Sequence, residues 1–147
     1  MNLRQDLIDW VLERLRDIRV TNGYNTDVGL HVHEWRSAPF STDDLPALNV
    51  RDIYDEVSYG EQSARHSLHK LFVSIQYLDY GDDLPRRARA ALADIEKALS
   101  AWRSQKRIIK IEPITCGRFV LDQGGYSISG VLYELFLIYQ SKMMEAY

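Results

Sequence analysis

The sequence predicts an α+β fold: a mixed, mainly antiparallel β-sheet with two α-helices packed on one face. Three observations carry that expectation. Leu71, Val73, Ile75 and Tyr77 alternate with Lys70, Ser74 and Gln76, the period-two pattern of an antiparallel strand with one buried and one wet face. Two stretches, 3–18 and 84–101, repeat apolar side chains at helical spacing. The predicted strands outnumber these helices and are joined mainly by loops, which favours segregated helices over repeated parallel β-α-β units.

The first helix is expected over residues 3 to about 18. Asn2 can cap it, and Gln5 stands at the third position after the cap, a weak variant of the capping box. Leu3, Leu7, Ile8, Val11, Leu12, Leu15 and Ile18 form one broad apolar face. Thr21-Asn22-Gly23 breaks the helix. A short strand follows at 30–35, then a polar connection over 37–46. A second strand runs over 47–57, where Leu48 and Val50 share one face but Ile53 and Val57 fall on the other; a bulge or an early end explains the switch. A polar loop covers 58–65, and the third strand covers 66–80.

Gly81-Asp82-Asp83 ends that strand and caps the next element, with Pro85 in the first helical turn, where its missing N–H costs nothing. Ala88, Ala91, Leu92, Ile95, Leu99 and Trp102 form the stripe of the second helix. A β-like stretch at 108–121 is interrupted by Pro113 and Gly117, Asp122-Gln123-Gly124-Gly125 is a hairpin turn signal, and the last strand spans 128–139. Both faces of that strand are mostly apolar: Val131, Tyr133, Leu135, Leu137 and Tyr139 on one, and Leu132, Glu134, Phe136 and Ile138 on the other. One face suits the helix layer; the other suits a neighbouring subunit. The 147 residues read as one domain, 1–147, with a flexible tail at about 141–147.

Composition narrows the function classes. Apolar residues make up 46%, charged residues 27%, and the net charge is −3, so the molecule as a whole is not an electrostatic binder of nucleic acid or anionic membrane. Cys116 is the only cysteine, excludes an internal disulfide, and reads as buried or semi-buried filler. No run approaches the ~18 apolar residues of a membrane span, and the first residues lack a signal-peptide pattern, so a soluble, intracellular site of synthesis is expected.

Catalytic grammar is sparse. His31-x-His33 and His66-x-x-His69 each offer two metal ligands, but a catalytic zinc site needs about three, and nothing links the pairs, so no metal and no cofactor are expected. The carboxylate clusters Asp43-Asp44, Asp52/Asp55/Glu56 and Asp82-Asp83 read as solvated turn and cap residues. No serine sits in a nucleophile elbow. Arg86, Arg87 and Arg89 crowd the start of the second helix, where cations oppose the helix dipole. A solvated face accounts for them, and so does a salt bridge to another subunit. No stacking aromatics are interleaved with them, so specific nucleic-acid binding is not expected.

One stretch, Thr21-Asn22-Gly23-Tyr24-Asn25-Thr26-Asp27-Val28-Gly29, then Val32-His33, then Asp43-Asp44-Leu45-Pro46-Ala47-Leu48, follows the leading helix. With the long strand, the Ala-rich helix at 84–101 and the terminal strand ending near Tyr139, this order resembles the tail terminator (minor tail or tail completion) proteins of tailed bacteriophages. The resemblance covers most of the chain through short, turn-rich motifs; the 58–65 loop and the residues after Tyr139 depart from it. It implies a structural protein and no enzyme. Such proteins form a homo-oligomeric ring, typically a hexamer, on the head-proximal end of the tail tube. The ring stops tube polymerisation and meets head-completion or neck proteins, in the virion tail after assembly in the host cytoplasm. On that reading the interface candidates are Arg86, Arg87 and Arg89, then Leu132, Phe136 and Ile138, and Asp43 and Asp44 in a projecting loop. A head-to-tail connector or neck protein, and a histidine-rich metal-dependent hydrolase, are the alternatives.

Overall fold

Asn2 starts helix α1 (Leu3–Arg16) as expected: its side chain accepts from the Gln5 N–H at 3.1 Å. Gln5 does not complete a capping box, because its amide donates to Asp9 at 2.8 Å instead. The computed structural model describes residues 2–59, 66–120 and 128–142. The remaining elements are β1 (Val32–Glu34), β2 (Ala47–Tyr59), β3 (His66–Tyr80), α2 (Leu84–Leu99), β4 (Ile108–Val120) and β5 (Ile128–Lys142).

The strands form one five-stranded sheet in the order β1-β2-β3-β5-β4. β1 runs parallel to β2; every other pair is antiparallel. β3 and β4 are therefore parallel to each other, with α2 crossing between them and β5 returning into the gap. The fold is α+β with a mixed, mostly antiparallel sheet.

Register explains the layers. Leu48, Tyr77 and Val131 lie opposite one another, as do Val50, Ile75 and Tyr133. These side chains share the core with Leu7, Val11 and Leu15 of α1 and Ala88, Ala91 and Ile95 of α2. Both helices thus cover the same sheet face. Each fully buried Leu or Ile in this layer contributes roughly 1.5–3 kcal/mol. The alanines of α2 let its backbone approach the sheet closely.

The expected change of face in β2 is a bulge: the register shifts between Asp52 and Tyr54, leaving Ile53 as the extra residue. After it, Asp55 and Val57 share the face of Leu71 and His69, their register partners, with the Asp55 carboxylate buried and Val57 exposed near the strand end. β4 is more irregular, with shifts at Ile109, Ile114 and Gly117, the last at φ 116°.

Several expectations are corrected. The first strand is shorter than 30–35 because Val28–Leu30 form a 3-10 turn. Ser141 and Lys142 belong to β5, not to a tail, since they pair with Ser67 and His66; residues 143–147 and the hairpin turn at 122–125 lie outside the described residues, as do 60–65 of the polar loop. The second helix ends at Leu99 and tightens into a 3-10 turn, Ser100–Ser104. Asp83 takes the N-cap position of α2 without a side-chain cap bond. Cys116 is exposed, because it lies on an outer strand next to a bulge. Trp35, just after β1, adopts a left-handed φ of 52°; its indole N–H donates to Asp52 at 2.7 Å, and Arg4 of α1 pairs with the same carboxylate at 2.8 Å.

Candidate functional site

The sheet face away from the helices carries the predicted cluster of Leu132, Phe136 and Ile138. Alternation along β5 puts them on one side, opposite in direction to Tyr133, Leu135 and Leu137. Phe72 of β3 is the register partner of both Phe136 and Tyr54. The three rings pack together: Tyr54 and Phe72 stack at 5.2 Å and 2° between planes, and Phe136 meets Phe72 edge-on at 5.7 Å. The Lys70 ammonium lies 5.6 Å from the Phe136 centroid. Leu132 and Phe136 are half-buried. Ile138 is more enclosed, flanked in register by Lys70 and Lys110, whose aliphatic stems can cover it.

The upper end of this face is covered by the chain itself. Asn49 is buried and exchanges hydrogen bonds with Arg36, accepting from its N–H and donating to its carbonyl, both at 3.0 Å. The Arg36 guanidinium lies over the Phe40 ring at 4.1 Å and pairs with Asp44 at 3.0 Å. Asp44 also accepts from the Ser41 N–H and hydroxyl, and these bonds hold its carboxyl below the usual carboxylate range. Asp44 is thus a cap with an intrachain partner, while Asp43 is exposed.

The arginines divide in the same way. Arg87 has its acid within the chain: Nε donates to Asp79 at 2.8 Å, and the same carboxylate accepts from the Tyr77 hydroxyl at 2.6 Å. Burial and the neighbouring Asp79 push the Tyr77 hydroxyl well above its ordinary pKa. An open 610 Å³ cleft lies beside this network, lined by Pro46, Asp79, Gly81, Asp82, Asp83 and Arg87. Arg86 and Arg89 are exposed and make no ion pair among the described residues.

The histidines are dispersed. His31 precedes β1. His33 packs edge-on against Phe40 at 5.4 Å, and burial with the nearby Arg36 lowers its pKa. His66 and His69 sit within β3, on opposite faces, rather than together on a turn. Among the described residues no three His, Cys, Asp or Glu side chains stand together in a metal-binding group.

His69 is one residue whose partners no sequence spacing announced. Its Nδ1 lies 3.0 Å from Asp55 Oδ2, its Nε2 lies 2.6 Å from the Ser141 hydroxyl, and its ring stacks on Tyr139 at 4.4 Å. The Tyr139 hydroxyl donates to the same Asp55 oxygen at 2.6 Å. The carboxylate partner assigns the proton to Nδ1, leaving Nε2 to accept from Ser141. The order is that of an acid–base–nucleophile relay. His69 and Ser141 are each 2% exposed, so the hydroxyl has no opening to solvent. The group is a polar clamp across β2, β3 and β5. His69→Leu is expected to cost about 2–3 kcal/mol in denaturant unfolding, by stripping a buried carboxylate of a partner. An unchanged midpoint would refute the clamp.

A second buried carboxylate, Asp94, which sequence reasoning missed, lies on α2 between the buried Ala91 and Ala98. It is 1% exposed and accepts from the Asn25 N–H at 2.9 Å, the Thr26 N–H at 2.8 Å and the Thr26 hydroxyl at 2.6 Å. Lys97 adds a bond to the Gly23 carbonyl at 2.8 Å and lies over Tyr24 at 4.7 Å. The turn-rich stretch after α1 is therefore bolted to α2. Cys116 is exposed as a residue, but partial desolvation of its thiol and the neighbouring Glu96 raise the thiol pKa and disfavour the thiolate.

No helix among the described residues is long and apolar enough to cross a membrane. No protein-family model matches this chain, and no curated protein matches it.

Proposed function

We propose that this chain is a structural assembly protein of the phage tail terminator kind. It forms a homo-oligomeric ring, a hexamer, that caps the head-proximal end of a tail tube, ends tube polymerisation and offers a joining surface to head-completion or neck proteins. The observation that carries the reading is the sheet face that no helix among the described residues covers. There Tyr54, Phe72 and Phe136 pack into an aromatic surface continued by the half-buried Leu132, with Ile138 enclosed beside it. Apolar surface outside the core and rimmed by charge is the mark of a protein contact. Lys70, Glu56 and Lys110 supply that rim here. The reading rests as well on the resemblance that the order of elements gives the sequence.

Two measurements test this. Native mass spectrometry over a concentration series is expected to show a closed, sixfold species. Tube protein polymerised with the purified chain is expected to give tubes bearing a ring at one end that no longer elongate. Tubes that keep growing, with the chain bound at heads or necks, would move the assignment to a connector.

A further inference from the structure

We infer that successive copies join edge to edge, the outer edge of β2 in one copy seating against the β4 edge of the next. The inference rests on the ring reading and names the surfaces that close it. Among the described residues eleven large apolar side chains are exposed, and six of them lie on the two long outermost strands. Ile53, Tyr54 and Val57 are on β2; Ile109, Ile114 and Phe119 are on β4. Each is between 40% and 48% exposed, so a monomer leaves both rows wet.

The β2 edge is open because β1 is short. β1 pairs only with Leu48, Asn49 and Val50, and Trp35 adds one bond to the Val50 carbonyl. From Arg51 onward no strand among the described residues lies on that side. At the far side of the sheet, β4 has β5 as its one neighbour.

Charge selects the partner. On the β2 stretch 51–59, Asp52 is held by Arg4 and the Trp35 indole and the Asp55 carboxylate is buried against His69, so Glu56 is the acid left exposed there. The β4 stretch and the turn before it hold Lys106, Arg107, Lys110 and Arg118 against Glu112, and all four bases are exposed. Two β4 edges would set base against base, whereas the β2 edge offers those bases the exposed Glu56. A β2 edge meeting a β4 edge brings exposed apolar side chains together and sets Glu56 against the β4 bases. That contact is heterologous, the kind that generates rings. The bulges at Ile109, Ile114 and Gly117 and the missing N–H of Pro113 break any long ladder, so side-chain packing carries the contact.

The test uses two variants of the whole chain, Val57→Asp for the β2 edge and Ile114→Asp for the β4 edge. Both sites are exposed, and circular dichroism confirms the fold of each. By native mass spectrometry each variant alone is expected to be monomeric, with self-association weakened about 100-fold. Mixed together, they keep one good edge each and are expected to give a one-to-one dimer that grows no further. As an independent arm, Val57→Cys with Ile114→Cys in a Cys116→Ser background is expected to oxidise into covalently linked oligomers. A wild-type ring that both aspartate variants still form, a mixture that stays monomeric, or no intermolecular disulfide overturns the edge contact. The first of these leaves the ring itself standing, whereas a wild-type chain monomeric at every concentration overturns both.

Discussion

Replacing Gly29 with alanine is expected to lower the thermal midpoint by roughly 10 °C, from about 3 kcal/mol of overpacking in a chain of this size. A Cβ at Gly29 would stand 2.6 Å from the carbonyl oxygens of Arg16 and Ile18 and 2.7 Å from that of Leu15. All three are backbone atoms at the end of α1, so no flexible side chain can swing aside. Gly29 also donates its N–H to the Ile18 carbonyl at 3.0 Å, which holds the chain against the helix end. Leu15 and Ile18 are fully buried, so a shift large enough to admit the methyl propagates into the core. Differential scanning calorimetry on Gly29→Ala reads the effect. A midpoint within 2 °C of wild type would show that the helix end gives way freely.

Asp94→Ala is expected to destabilise by about 3 kcal/mol and to free the segment after α1 before the rest of the molecule unfolds. The substitution removes the acceptor for three donors at once: the Asn25 N–H, the Thr26 N–H and the Thr26 hydroxyl. Two are backbone groups for which no other acceptor stands in place among the described residues. Hydrogen exchange is the sharper readout, since the Asn25 and Thr26 amides should lose protection while those of β3 keep theirs. Thr26→Val removes the hydroxyl alone and should cost about 1 kcal/mol. Equal losses in the two variants would mean that the backbone donors do not depend on Asp94. Asp94→Asn should fall between the two, because one of its two positions presents an N–H to a donor.

These residues mark where the sequence could and could not be read. The helices, the long strand at 66–80 and the change of face near Ile53 followed from side-chain period alone, because burying one face imposes that period on any chain; the structure decided that the change is a bulge and not an early end. The cap at Asn2 and the proline in the first turn of α2 followed from the donors that every helix start leaves free. Leu132, Phe136 and Ile138 were legible as a second apolar face of β5, and the structure places them on the side that the helices leave open. What the period could not reveal was which loop packs on which helix. Asp94 and Thr26 are 68 residues apart, and His69 and Ser141 are 72 apart.

The chain by itself therefore determined its two helices, its long strands and its helix-covered core, since these depend on residues a few positions apart. Strand order, the burial that turns Asp55, His69 and Ser141 into a clamp, and the exposure of Ile53, Ile109 and Ile114 at the two edges were decided only on folding. Each depends on which strands become neighbours and which are left outermost, and that outcome rests on the summed packing of both helices on the sheet rather than on any local run of residues.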